Sequence, residues 1–177
     1  MEALYEMNSA ILLIPLFLIR YGLLALINET ALPKAAYFPP MQKTEKVMFF
    51  VYQVSTILIL VYMFFLKATI VDVISKIGLC VYVIGVALFV VATTSFAKTG
   101  TGANKNGFYR ISRNPMYIAY FIYFLGCGLL AHSILMLVLV CIFQIAAHWI
   151  ILAEERWCLQ TFGDEYAQYM KKVRRYI

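Results

Sequence analysis

Charge is scarce in this chain. Only 14% of its residues are charged, 9 acidic and 15 basic, with 2 histidines, whereas 63% are hydrophobic and the mean hydropathy is +0.81. A single soluble domain exposes too much surface for its volume to be covered by so few polar residues, so that class is excluded and an integral membrane protein is predicted. Cysteine is sparse too: Cys80, Cys127, Cys141 and Cys158 are separated by 46, 13 and 16 residues, a pattern that fits no metal or redox motif and reads as small buried hydrophobes. No metal is expected. The sequence also lacks an internal repeat and a low-complexity tract. Its net charge of +6 is spread between apolar runs, which points to membrane lipids as partners and away from nucleic acid. Nucleotide fingerprints are incomplete: in "AKTGTGANKNG", Gly100 and Gly102 would need a glycine where Lys105 stands, and Gly102 and Gly107 would need a lysine where Phe108 stands. No basic stretch precedes the first apolar run, only Glu2 and Glu6, so that run is read as an uncleaved membrane helix.

What is abundant is apolar length. Five segments, Ser9 to Ile27, Val47 to Leu66, Ile74 to Thr94, Pro115 to Ala131 and Ile134 to Ala153, approach the length that crosses a hydrocarbon core of about 30 Å, the fourth being short. The predicted fold is all-α: about five transmembrane helices, the last two joined at His132 and Ser133 as a tight helical hairpin, followed by a C-terminal amphipathic helix. We read residues 1–177 as one membrane domain, with three membrane helices in 1–94 and a cytosolic loop, the hairpin and the interfacial helix in 95–177. With the N-terminus outside, 12 of the 15 basic residues fall on the cytoplasmic side, leaving Lys67 and Lys76 outside and Arg20 within the first helix. The expected localisation is a multi-pass membrane protein with any aqueous site facing the cytoplasm.

Two polar stretches interrupt this apolar background. In "NGFYRISRNPMYIAYF", residues 106–121, Asn114 followed by Pro115 is a helix-start signal: Asn can cap free N–H groups, and Pro lacks the N–H that the first turn would strand. The positive end of the helix so begun would attract a carboxylate or phosphate. Arg110 and Arg113 either add charge-assisted hydrogen bonds there or anchor the helix to lipid phosphates. The second stretch, "EERWCLQTFGDEYAQYMKKVRRY", begins with two carboxylates at a membrane helix end, where each needs water or a cation. Glu155 shares a helical face with His148 and Glu154 does not, so only one of the pair is expected at any given site. Tyr166, Tyr169 and Met170 read as an interfacial stripe, with Lys171, Lys172, Arg174 and Arg175 meeting headgroups. Arg20 lies near mid-membrane at a cost of about 2.5–3.5 kcal/mol and must face protein or a cavity.

Four elements in order carry a resemblance: Gly107-Phe108-Tyr109, Arg113-Asn114-Pro115-Met116-Tyr117, Glu154-Glu155, and Phe162-Gly163-Asp164-Glu165-Tyr166 with Tyr169. Together they resemble the C-terminal half of the isoprenylcysteine carboxyl methyltransferase and phospholipid methyltransferase superfamily, over about residues 95–177. The resemblance implies an integral membrane enzyme that binds S-adenosyl-L-methionine in a cytosol-facing pocket. Tyr109, Arg113, Asn114, Pro115, Met116, Tyr117 and Glu154 fall at its cofactor positions, with Thr101, Gly102, Ala103 and Asn104 as a further loop match. Two departures stand out. Asn114 replaces a histidine but keeps a donor and an acceptor. Ile150 stands where the carboxyl methyltransferases have an arginine resembling a substrate-carboxylate clamp, which leaves the methyl acceptor open. Arg20 is a candidate replacement, and His148 and Glu155 are candidate general bases for an amine acceptor.

The expected function is that of a methyltransferase acting on a membrane-embedded lipid or prenylated substrate. An NADPH-dependent membrane lipid reductase and a non-catalytic scaffold are the alternatives.

Overall fold

The computed structural model describes residues 6–98 and 104–177. Thr101, Gly102 and Ala103 lie outside the described residues. The first span, Ser9–Ile27, has mixed helical geometry: a 3-10 turn (Ser9–Leu13), α1 (Ile14–Phe17), a π-helical segment (Leu18–Leu23) and α2 (Leu24–Ile27). A short α3 (Ala31–Ala35) follows, then α4 (Lys43–Tyr62), α5 (Val73–Ala97), a 3-10 turn (Gly107–Arg110), α6 (Pro115–Leu130) and α7 (Ile134–Lys172). Among the described residues, four helical segments are long and apolar enough to cross a membrane: Ser9–Ile27, α4, α5 and α7. The 16 residues of α6 rise only about 24 Å at 1.5 Å each, less than a full hydrocarbon thickness. The all-α membrane architecture expected from the apolar runs is present.

Local chemistry sets the helix ends. Asp72 caps α5 by accepting from Ser75 N at 2.9 Å. Ser133 caps α7 by accepting from Met136 N at 3.2 Å. Between α6 and α7 the turn is as short as the sequence demands, and His132 takes it with φ of 48° while its Nε2 lies 3.0 Å from Asp72 Oδ1. At the same end of the bundle a two-stranded antiparallel sheet pairs β1 (Glu6–Asn8) with β2 (Lys67–Thr69), closed by a 2.7 Å Glu6–Lys67 ion pair. No periodic signal in these three-residue strands announced the sheet.

The core is aromatic and closely approached. α5 lies along α6 and α4 along α7. A Cβ on Gly85 would stand 2.6 Å from the Tyr123 backbone, so glycine is what lets α5 and α6 touch. Tyr82 and the fully buried Tyr123 both donate to the Leu12 carbonyl, tying α5 and α6 to the irregular first span. Arg156 on α7 grips buried Glu45 at the start of α4, Nη2 to Oε2 at 2.7 Å.

The helical run Ile134–Lys172 is broken at Gly163, whose φ of 52° and ψ of −130° suit a residue without Cβ, so a distinct C-terminal helix follows the membrane helix as expected. Two other expectations are corrected. Tyr166 and Tyr169 are turned inward and buried instead of lying on lipid. Asn114 precedes α6 as expected, but its side chain does not cap the helix and is used elsewhere.

Candidate functional site

At the end of the bundle opposite the small sheet, a cavity of about 690 Å³ opens between the first span, residues 33–39, α4, α6 and α7, a volume suited to a nucleoside-sized ligand. Its wall is built by helical spacing. Tyr117 and Tyr120 are three apart on α6, and Trp157 and Cys158 follow Glu154 by three and four on α7, so each set shares a face. The bend at Gly163 returns Tyr166 and Tyr169 to the same wall, and the π segment brings in Arg20. π-helical segments are often found at functional sites, where they re-aim a side chain.

Glu154 is the only acidic residue among the described lining residues, and its Oε1 accepts from the Tyr117 hydroxyl at 2.6 Å. Three cations share the wall: Arg20, Lys34 and Arg113. Arg20 Nη2 donates to the Ala35 carbonyl at 2.5 Å, tying the first span to α3. Tyr37 packs its ring 5.6 Å from Trp157, and Phe38 reaches Phe49 and Tyr52, so residues 33–39 form an aromatic rim. Tyr109 sits on the 3-10 turn, where burial pushes its hydroxyl above the ordinary tyrosine range and keeps it a neutral donor; its carbonyl accepts from Tyr169 at 2.6 Å. Asn104 lines the cavity and anchors its loop by donating to Ser95 O at 3.1 Å.

The two glutamates diverge as the helical geometry requires. Glu155 is 3% exposed and does not line the cavity. Its Oε1 accepts from Arg113 Nη2 at 3.1 Å and Asn114 Nδ2 at 3.3 Å, and its Oε2 from Arg175 Nη2 at 2.8 Å and Arg175 Nε at 3.1 Å. That pairing holds the Arg175 guanidinium above its ordinary pKa and occupies Glu155 fully. His148 is likewise committed: its Nδ1 lies 2.7 Å from the Tyr176 hydroxyl with the rings stacked, and it is not among the lining residues. Ile150 is fully buried against Tyr117, Ala147 and Ile151 and offers nothing polar.

Of the residues singled out from sequence, the structure gathers Arg20, Asn104, Tyr109, Arg113, Asn114, Met116, Tyr117 and Glu154 onto one wall. It leaves Glu155 and His148 behind that wall, and Pro115 buried as the first helical residue of α6. Sequence reasoning passed over Tyr52, Tyr120 and Trp157, and quoted Phe162 in a motif without giving it a place at the site. For Tyr120 and Trp157 the signal was available, as each lies three residues from a residue already singled out.

A half-buried carboxylate, aromatic rings and guanidinium groups lining one cavity fit a ligand bearing both an ammonium and a carboxylate, with an additional cation against the rings. Among the described residues no group of three or more His, Cys, Asp or Glu could hold a metal ion. No curated protein matches the chain. A family profile described as Phospholipid methyltransferase matches residues 54–165, more than half of the sequence. The matched span takes in Tyr109, Arg113 to Tyr117 and Glu154, and on that match the chain belongs to the phospholipid methyltransferase family, a family of methyltransferases.

Proposed function

We propose that the chain is an S-adenosyl-L-methionine-dependent methyltransferase acting on a membrane-embedded lipid or prenylated substrate, with its cavity open to the cytoplasm. The single observation that carries this reading is the Glu154 carboxylate, hydrogen-bonded to Tyr117 and lining the same cavity as Arg113. When bound, S-adenosyl-L-methionine would supply a sulfonium-bound methyl group, the acceptor lone pair bonding to its carbon in line as the carbon–sulfur bond breaks and S-adenosylhomocysteine leaves.

The protein's part is to bind, orient and exclude water. Glu154 holds an ammonium, and Tyr117 fixes the rotamer of that carboxylate so that it points into the cavity. Arg113 and the uncapped first turn of α6 hold a carboxylate. Tyr109, Tyr117, Tyr166 and Tyr169 present ring faces and neutral hydroxyls, which tolerate a cation without forming a competing nucleophile. Arg20 of the first span and Lys34 of α3 meet the acceptor's polar head while its apolar part stays in lipid. In this reading proton removal from the acceptor does not pass through Glu155 or His148, neither of which lines the cavity; Glu155 pairs with Arg113 and Arg175, and His148 Nδ1 is held by Tyr176.

The sided distribution of basic residues supports a cytosolic opening: residues 33–39, 104–114 and 173–177 all gather at the cavity end, away from β1, β2 and His132. Incubating the purified protein with a methyl-labelled donor and a total lipid extract tests the proposal. A labelled lipid that depends on Glu154 is expected, and absence of label from every lipid fraction would overturn it.

A further inference from the structure

The last five residues lie beyond the family match, yet they are stitched to the floor of the cavity. Arg174 O accepts from Arg113 N at 3.0 Å, and Arg175 O accepts from Ser112 Oγ and from Asn114 Nδ2, both at 3.2 Å. The Arg175 side chain then crosses to Glu155 in a two-nitrogen fork. Two guanidiniums, Arg113 and Arg175, therefore share one buried carboxylate, and their three-membered cluster carries one net positive charge. The geometry of Arg113 leaves that charge available. Its side chain is 7% exposed, Nη2 is held by Glu155 and Nη1 by Met170 O at 3.4 Å, and Nε is buried with no partner among the described residues. A buried guanidinium with an unspent N–H on a cavity wall costs free energy unless an anion is close.

We infer that Arg175 is a positioning residue that keeps Arg113 cationic towards the cavity: by taking up the charge of Glu155, the tail converts a neutral Arg113–Glu155 pair into an anion-binding subsite for a ligand carboxylate. This deepens the reading of the cavity as a methyl-donor site and rests on it. Without Arg175, Glu155 would neutralise Arg113 alone, and an anion beside it would meet no net charge. At the separations of a partly buried cluster, one unit charge changes the affinity for an anion by about ten- to fiftyfold.

The test compares two ligands on the full-length protein in detergent by calorimetry: S-adenosylhomocysteine, which carries the carboxylate, and 5′-methylthioadenosine, which lacks the amino-acid part. In Arg175→Ala, binding of S-adenosylhomocysteine is expected to fall at least tenfold while that of 5′-methylthioadenosine stays within twofold of wild type. Lys171→Ala, an exposed cation outside the cluster, is expected to change neither. An equal loss of both ligands in Arg175→Ala, or no loss of either, overturns the inference. If Arg175→Ala does not fold, Arg175→Gln, which keeps a donor and removes the charge, is expected to show the same selective loss; failure of both variants to fold makes the tail a purely structural element and also overturns it. Failure of the wild-type protein to bind either ligand would refute the underlying reading of the cavity instead.

Discussion

Replacing Gly85 with alanine asks whether the contact between α5 and α6 holds the site together. The added methyl would stand 2.6 Å from both Cα and N of Tyr123, and 3.1 Å from the Ile122 carbonyl carbon, where an ordinary contact needs about 3.5 Å or more. Every obstacle is backbone, so no side chain can rotate away, and the helices must part by about 1 Å. Tyr123 resists that shift because it is fully buried and donates to Leu12 O across the bundle. Overpacking costs about 1–3 kcal/mol, and with only backbone in the way the upper part of that range, about 2–3 kcal/mol, applies; helix propensity from Gly to Ala returns roughly 1 kcal/mol, so a net loss of about 1–2 kcal/mol is expected. Gly22 is the control: a Cβ added there would meet nothing within 4 Å, and Gly22→Ala should be neutral or slightly stabilising. Reversible unfolding in mixed detergent micelles measures both. A Gly85→Ala protein as stable as wild type would refute the claim that close backbone approach is what joins these helices. Because α6 carries Tyr117, the same variant should also bind S-adenosylhomocysteine less tightly.

Three more outcomes are expected. Tyr117→Phe removes the 2.6 Å hydrogen bond to Glu154, a charged bond worth about 1.5–3 kcal/mol, and should lower kcat/KM for the methyl donor roughly ten- to a hundredfold in a methyl-transfer assay, with little change in unfolding. Asp72 is held at a pKa of about 2, chiefly by the Ser75 backbone N–H and then by Ser75 and His132 side chains. A depressed carboxyl contributes stability that is present above its unfolded value near 4 and is lost as pH falls towards 2, so the stability gap between wild type and Asp72→Asn should be steady above about pH 5 and close between pH 4 and 2 in acid-unfolding curves. Gly163→Ala meets no steric obstacle but puts a side chain at φ 52°, ψ −130°, a strain of about 1–3 kcal/mol. It should straighten the bend, withdraw Tyr166 and Tyr169 from the cavity and weaken donor binding, with hydrogen exchange rising after residue 163 and not in α5 or α6.

The parts of this molecule that were legible in the sequence are those fixed by local chemistry. Apolar length placed the spans, the pair His132 and Ser133 allowed nothing but a tight turn, and Asn114-Pro115 marked the start of α6. The divergence of Glu154 from Glu155 followed from 3.6 residues per turn. Illegible were the partners chosen across the fold. Nothing periodic connects Arg175 to Glu155, Tyr176 to His148 or Glu45 to Arg156, and a tail of basic residues has the same composition whether it meets headgroups or a buried carboxylate. The Asn114 side chain was drawn from its local capping role to Glu155 and Arg175 O, long-range acceptors that no local pattern announces. The left-handed φ at Gly163, which turns an interfacial stripe into a cavity wall, is likewise a backbone choice that a glycine permits but does not dictate.

Whether Glu154 grips the ammonium of a methionine-like ligand decides between a methyl-donor site and an unrelated cavity. Calorimetric titration of S-adenosylhomocysteine into wild-type and Glu154→Gln protein, in the same detergent, measures this directly. Saturable binding to wild type that weakens at least tenfold in Glu154→Gln is predicted. Equal affinity for the two proteins, or no binding by wild type in detergent and in lipid nanodiscs, would contradict it.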